Sequence, residues 1–177
     1  MIFSKTKIEG VFLVELERNE DERGSFSRAF CEREFHDRGF SFHVSQANLS
    51  TSCGRGTIRG MHYQQAGMYE SKIVRCVRGA VWDVVVDMRV GSPTMFQHLT
   101  FELNDSNGLA LCIPDGVAHG HQALSDEADL FYLMDGSFRP GHEAGLRYDD
   151  PAIGIQWPLR VDKISRRDLE WPLICRG

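Results

Sequence analysis

The strongest β-strand signal in this chain is the run Val81-Trp82-Asp83-Val84-Val85-Val86-Asp87-Met88-Arg89. Its repeated valines are β-branched, and such side chains favour the extended backbone of a strand. The turn-forming group Gly91-Ser92-Pro93 follows and stops the run. We therefore predict a β-strand over residues 81–89.

Further strand candidates lie on both sides of this run, separated by turn-forming residues. They cover residues 11–14, 25–30, 42–48, 72–78, 98–103, 109–113 and 128–134. Strands at intervals of roughly 8–12 residues are typical of a β-sandwich or barrel. Short helices are predicted at residues 32–38 and after Ser165, with Ser165 as N-cap and Asp168 in the capping-box position. The sequence thus predicts one all-β domain over residues 1–177 with minor short helices.

The composition is that of a soluble globular protein. The 177 residues are 42% hydrophobic and 25% charged, which suffices for a full core. A net charge of −5 argues against general nucleic-acid binding, so an anionic ligand needs a local cluster of Arg and Lys. No run approaches the ~18 apolar residues of a membrane span, and the first residues lack the apolar core of a signal peptide.

The five cysteines are odd in number and widely spaced, without a CxxC pair. Cys76 and Cys112 lie in apolar runs and are predicted to be core thiols. This pattern favours a reducing cytoplasm, with no disulfide framework and no cysteine zinc site.

Two segments each place a histidine after a glycine: residues 57–64 contain Arg59-Gly60-Met61-His62, and residues 113–120 end in His119-Gly120. Lys72, Tyr132 and Asp168 lie between or after them. Imidazole, phenol and carboxylate are the groups needed to remove a proton from carbon and return one.

Other interpretations of these residues stay open at this point. His62 could be structural, Tyr132 a core residue and Asp168 a helix-start carboxylate. His119 and His121 would share a strand face, and with His62 they could form a three-histidine metal site. Against the metal site, residues 57–64 hold no second histidine and Glu70 is the nearby carboxylate.

Basic residues of the first half could bind an anion, although solvated strand faces are the expected place for most of them. Arg23 and Arg59 differ because a glycine follows each one and permits close approach of backbone or ligand. Their forked guanidinium groups suit a diphosphate.

Nearly the whole chain resembles the dTDP-4-dehydrorhamnose 3,5-epimerase family of the cupin superfamily. The matching motifs occur in the family's order at residues 21–24, 59–64, 72–76, 84–89, 92–94, 113–120 and 150–158. The resemblance implies a double-stranded β-helix jelly roll, a homodimer, and epimerisation beside a ketone of a nucleotide-linked 4-keto-6-deoxy sugar. It implies no metal and no other cofactor.

The resemblance also implies roles for individual residues. His62 would be the general base and Asp168 its carboxylate partner, Tyr132 would return a proton to the opposite face, and Lys72 would stabilise the enolate oxygen. Substrate contacts are implied for His119, for Arg23 and Arg59 at the diphosphate, and for Gln46 and Asn48. The amino-terminal strands, with Arg23 and Phe26, would help to complete the partner's nucleotide site.

The chain departs from the family at three positions: Arg28 replaces a carboxylate, Leu133 a lysine and Ser137 an aromatic residue. An arginine only donates hydrogen bonds, so Arg28 could not accept the N3–H of thymine but could donate to cytosine. Alternatively, Arg28 is turned to solvent or to a phosphate.

Other functions stay open beside a 3,5-epimerase. They are a single-centre epimerase on a different nucleotide sugar such as a CDP-linked one, a non-catalytic sugar-nucleotide binding protein and a metal-dependent cupin oxygenase.

Overall fold

The fold of the chain is a sandwich of two antiparallel sheets, seen in a computed structural model whose described residues are 1–65, 70–136 and 141–174. The larger sheet has the strand order β1-β2-β10-β7-β12-β5 and the smaller one β13-β6-β11-β8-β9, while β3 and β4 form a separate hairpin. Several pairs join strands that are distant in sequence, such as β2 with β10 and β5 with β12, as in a jelly roll. This architecture confirms the predicted all-β jelly roll with minor short helices.

The strands of the larger sheet are β1 (Ile2–Lys5), β2 (Phe12–Glu15), β5 (Val44–Cys53), β7 (Ser71–Arg78), β10 (Leu109–Ile113) and β12 (Glu127–Asp135). Those of the smaller sheet are β6 (Ile58–Gln64), β8 (Ala80–Asp87), β9 (His98–Asn104), β11 (Val117–Ala123) and β13 (Glu143–Gly145). The hairpin consists of β3 (Asn19–Asp21) and β4 (Gly24–Phe26), and the helices are α1 (Glu32–His36) and α2 (Arg166–Leu169).

Most strand predictions are confirmed within a few residues, and one is wrong in extent. The valine-rich run forms β8, whose valines are almost completely buried. The strand predicted over residues 25–30 ends at Phe26, because Phe30 leaves the hairpin and packs with Phe35 and Phe42 in an aromatic cluster. Residues 42–48 begin the longer strand β5.

Three apolar clusters stabilise the sandwich. The largest lies between the sheets and contains Val74, Val85, Leu111 and Leu130. At about 25 cal/mol for each Å² of apolar surface removed from water, such burial is the main favourable term in folding. Strands β6, β7, β11 and β12 also carry the polar side chains described below.

Neither helix in the described ranges has the length and apolar character that a bilayer crossing requires. The cysteines at positions 31, 53, 76 and 112 are free thiols, and Cys76 and Cys112 are buried as predicted. Burial raises the pKa of the Cys76 thiol to about 11, so this thiol stays protonated and unreactive near neutral pH.

Candidate active site

A cavity of about 780 Å³ is lined by strands of both sheets and by the segment that leads into α2. It brings together residues that are far apart in sequence: His62 of β6, Lys72 of β7, His119 of β11 and Tyr132 of β12. Asp168 of α2 also lines it. The five side chains that sequence reasoning singled out for chemistry thus share one cavity.

His62 and Asp168 form a close pair at the edge of this cavity. His62 Nε2 lies 2.6 Å from Asp168 Oδ1. The His62 side chain is 45% exposed, whereas that of Asp168 is 5% exposed. Because Nε2 is engaged by the carboxylate, Nδ1 is the ring nitrogen available to a substrate. The pair therefore has the arrangement of a general base with a buried partner.

Asp168 is held in its ionised form by its neighbours. Burial opposes ionisation, but hydrogen bonds from His62, the Gly60 backbone N–H and Ser165 outweigh it and keep the pKa of the Asp168 carboxyl below its ordinary value. Ser165 is the N-cap of α2, as predicted, and its hydroxyl accepts the backbone N–H of Asp168. The capping turn thus fixes the position of the carboxylate.

The approach of β6 to β11 positions His62. His62 lies opposite His119, while Arg59 lies opposite His121, so β6 holds one extra residue between these pairs. Gly60 is at this bulge with φ of +126°, and a Cβ there would be 2.5 Å from the Cα of Gly120. The close approach predicted at Arg59-Gly60 is therefore made by the backbone of β11.

A second histidine–carboxylate pair joins the cavity-lining His119 to Asp83. His119 Nε2 is 2.8 and 3.0 Å from the two carboxylate oxygens of Asp83. Asp83 is fully buried and the His119 side chain is 5% exposed. Sequence reasoning treated Asp83 only as part of the strong strand. The available signal was a carboxylate among the valines of a strand that must be buried.

Tyr132 lines the cavity from β12 of the larger sheet, whereas His62 lines it from β6 of the smaller sheet. Its ring packs edge-on against His119, with the ring centroids 5.8 Å apart. Burial and the Asp83 carboxylate raise the pKa of the Tyr132 phenol well above its ordinary value. The phenol therefore keeps its proton at neutral pH and can act as an acid.

Lys72 is buried and paired with a carboxylate. Its Nζ lies 2.9 Å from Glu70 Oε1, and Gln64 Nε2 donates to the other Glu70 oxygen at 3.1 Å. Glu70, noted above as the nearby carboxylate, thus restrains the lysine. Lys72 remains a cavity-lining cation.

Three more cations line the outer part of the cavity: Arg59, predicted here, and Lys163 and Arg167, which sequence reasoning missed. Arg167 stacks over the ring of Trp171 at 5.3 Å. Both missed residues adjoin the Ser165 cap, so the capping signal could have drawn attention to them. Together the cations give the local positive charge that an anionic ligand requires.

Of the two polar residues predicted to contact substrate from β5, Gln46 and Asn48, one lines the cavity. Asn48 lines the cavity. Gln46 instead donates from Nε2 to the carbonyl of Gly136 at 3.0 Å, which holds the end of β12. Gln46 does not line the cavity of its own chain.

Three predicted binding residues lie outside the cavity of their own chain. Arg23 is 84% exposed in the β3–β4 turn and pairs with Asp21. Phe26 is 75% exposed. Arg28 pairs with Glu34 at 2.8 Å beside a surface depression. Their place outside the cavity of their own chain agrees with the expectation that Arg23 and Phe26 contact a partner's nucleotide, which stays a prediction.

Two further positions at which the chain departs from the family are Leu133 and Ser137. Leu133 packs against the apolar cluster around Phe35 and Phe42, so a hydrophobic residue suits this position. Ser137 lies outside the described residues.

Within the described part of the chain, no three His, Cys, Asp or Glu side chains form a group that could hold a metal ion.

The fold and cavity define a class: a cupin-type jelly roll whose cavity is lined by imidazole, phenol, carboxylate and ammonium side chains. A family model of dTDP-4-dehydrorhamnose 3,5-epimerase matches residues 5–175. The chain therefore belongs to this family, which confirms the resemblance predicted from its motifs.

Individual relatives agree with this assignment. The chain is 39% identical to a dTDP-4-dehydrorhamnose 3,5-epimerase of Sinorhizobium fredii over 99% of this chain and 90% of the relative. It is 41% identical to a dTDP-4-dehydrorhamnose 3-epimerase of Streptomyces niveus over 96% of this chain and 82% of that relative. The chain also matches the crystal structure of NovW, a 4-keto-6-deoxy sugar epimerase from the novobiocin biosynthetic gene cluster of Streptomyces spheroides. The TM-score is 0.93 and the sequence identity 40%, and the match covers 98% of this chain and 87% of NovW.

Proposed function

We propose that this protein is an epimerase of a dTDP-linked 4-keto-6-deoxy sugar in deoxysugar biosynthesis, inverting C3, C5 or both through an enolate. One observation carries the proposal. His62 comes from the smaller sheet and Tyr132 from the larger one, and both line the same cavity. A sugar ring held between the sheets would meet a base on one face and an acid on the other, as inversion requires.

The first step is removal of a proton from the carbon beside the ketone. Nδ1 of His62 would take this proton, and Asp168 would stabilise the resulting imidazolium. The C–H bond electrons move toward the ketone and form an enolate. Lys72 would place its positive charge near the enolate oxygen, where negative charge develops.

The second step returns a proton to the opposite face. The Tyr132 hydroxyl is suited to this step because burial keeps it protonated. Its proton goes to the carbon, the enolate electrons form the new C–H bond, and the ketone is regenerated. His119, in contact with the Tyr132 ring and fixed by Asp83, would support this side of the cavity.

The diphosphate would bind at the outer cations Arg59, Lys163 and Arg167. The CDP-linked alternative is not favoured, because the relatives are epimerases of dTDP-linked sugars and Arg28 is engaged by Glu34 at 2.8 Å. A binding protein without turnover is not favoured either, since it has no use for a buried carboxylate held against an exposed histidine.

The proposal is tested by incubating the protein with dTDP-4-keto-6-deoxyglucose in D2O and following the sugar by NMR. Deuterium should enter at C3, C5 or both, and the position identifies the centre that is inverted. If the protein binds dTDP but leaves the substrate unchanged after prolonged incubation, catalysis is contradicted and a binding function is favoured.

We also propose a homodimer in which Arg23 and Phe26 complete the partner's nucleotide site. The exposed hairpin and the long edge strand β5, with Val44 and Leu49 exposed, support this proposal. Sedimentation should show a dimer at assay concentration, and Arg23→Ala should weaken dTDP binding. A fully active monomer would contradict it.

A cytoplasmic location is proposed from the free cysteines in the described part of the chain. After unfolding in denaturant, the thiols of protein isolated without reductant should all be titratable, and disulfide-bonded cysteines in that protein would contradict the proposal.

A further inference from the structure

Arg59 is connected to two buried polar side chains, Ser52 and His121, of which His121 also lines the cavity. Its Nε donates to Ser52 Oγ at 3.2 Å, and Ser52 Oγ lies 3.2 Å from His121 Nε2. Ser52 is fully buried and His121 is 2% exposed. The mechanism above uses neither residue.

The chemistry of these groups fixes the direction of the hydrogen bonds. A guanidinium can only donate, so Ser52 Oγ accepts from Arg59. The Ser52 hydroxyl hydrogen then finds its acceptor, among the described residues, in His121 Nε2. His121 must therefore be neutral, with its own proton on Nδ1. Burial, which lowers the pKa of His121 well below its ordinary value, supports the neutral form.

The same contacts determine which part of Arg59 is free for a ligand. A second donor, on Nη2, binds the Thr51 carbonyl at 2.8 Å. Of the five N–H donors of a guanidinium, two are thus used by β5, and three remain at the end that lines the cavity. A guanidinium held along one edge presents its other edge in a fixed orientation, as bidentate phosphate recognition requires.

We propose that His121 is a positioning residue that orients Arg59, through Ser52, toward the diphosphate of the substrate. The proposal rests on the proposed function in taking the ligand to be a nucleoside diphosphate. It goes beyond that function by assigning a role to a histidine that touches no reacting atom. The register supports it, since the β6 bulge places Arg59 and not Gly60 opposite His121.

Two substitutions at one buried position provide the test. His121→Leu removes the acceptor for Ser52, whereas the Oε1 of His121→Gln can take the place of Nε2. Calorimetric titration with dTDP should show affinity lowered about two- to tenfold in the Leu variant, the range of one hydrogen bond. The Gln variant should recover most of this loss. Ser52→Ala breaks the same connection and replaces the Leu variant if that variant does not fold.

Kinetics separate positioning from general loss of structure. His121→Leu should raise KM by the same factor and leave kcat within about twofold. In an Arg59→Lys background, which lacks the Nε donor, it should have no further effect on dTDP affinity. Gln122→Met is the matched control: Gln122 is buried on the same strand but bonds to the backbone of Leu159, so its loss should not alter dTDP binding.

A ligand-free measurement keeps this inference separate from the proposed function. The Arg59 Nε–H signal in 1H–15N NMR should exchange slowly with water in the wild type and the Gln variant, and quickly in the Leu variant. Equal exchange in all three, or unchanged dTDP affinity in a folded Leu variant, would overturn the inference. If the Arg59 Nε–H exchanges slowly in the wild type and quickly in the Leu variant, but the wild type binds no dTDP, the proposed function is contradicted and the positioning of Arg59 is not.

Discussion

Two histidine–carboxylate pairs each contribute a histidine to the same cavity, and the two pairs differ in exposure. His62 is 45% exposed beside Asp168, whereas His119 is 5% exposed beside a fully buried Asp83. An imidazole needs contact with the substrate to take a proton from it, so exposure matters as much as the carboxylate. The comparison assigns chemistry to the outer pair and support of the cavity wall to the inner pair.

The largest expected effect is that of His62→Ala. Loss of a general base costs roughly 10²–10⁴-fold in rate, while dTDP binding should change little because the outer cations are retained. The measurement is the rate of deuterium entry into the sugar, with calorimetry for dTDP. His36→Ala, at an exposed histidine on α1, is the control and should match the wild type.

Exchanging each carboxylate for an amide sharpens the comparison. Asp168→Asn should lower the rate by about 10²-fold or more, because the imidazolium loses its stabilising charge. Asp83→Asn should act mainly on folding and cost roughly 1–3 kcal/mol, the range for a perturbed buried hydrogen bond. Deuterium entry and urea unfolding should be measured on both variants. A greater catalytic loss in Asp83→Asn would reverse the assignment.

The smallest expected effect concerns acid stability. The pKa of Asp168 is lower in the folded protein than its ordinary value of 3.8, so its contribution to stability is present above that value. This contribution is lost as the pH falls through the folded-state pKa. The free energy of unfolding should therefore decline less steeply below about pH 4 in Asp168→Asn than in the wild type. Parallel profiles from urea unfolding at several pH values would contradict the role given to this carboxylate.

The sequence was sufficient for the fold because its signals are local. Valine-rich runs, glycine turns and the Ser165 cap each act over a few residues, and the strand β10 was predicted without error. The strand predicted over residues 25–30 failed because tertiary packing withdraws Phe30 into an aromatic cluster. No local pattern reports such a contact.

Site residues could be predicted where they belong to a sequence motif, but not where only contacts in the folded chain place them in the site. His62, Lys72, His119, Tyr132 and Asp168 follow from the resemblance, and the structure brings them together. Asp83, Lys163 and Arg167 were missed because their relevance depends on partners far away in sequence. Arg23, Phe26 and Arg28 were singled out for binding but do not line their own chain's cavity, and their contact with a ligand stays a prediction.

The central claim is that a base and an acid act on opposite faces of one sugar ring. The most direct test is the configuration of the deuterated sugar formed by Tyr132→Phe in D2O. With His62 intact and the opposite acid removed, deuterium should enter with the original configuration retained, and the inverted product should fall by roughly 10²-fold. Inverted product formed at the wild-type rate would show that Tyr132 is not the acid and would contradict the account.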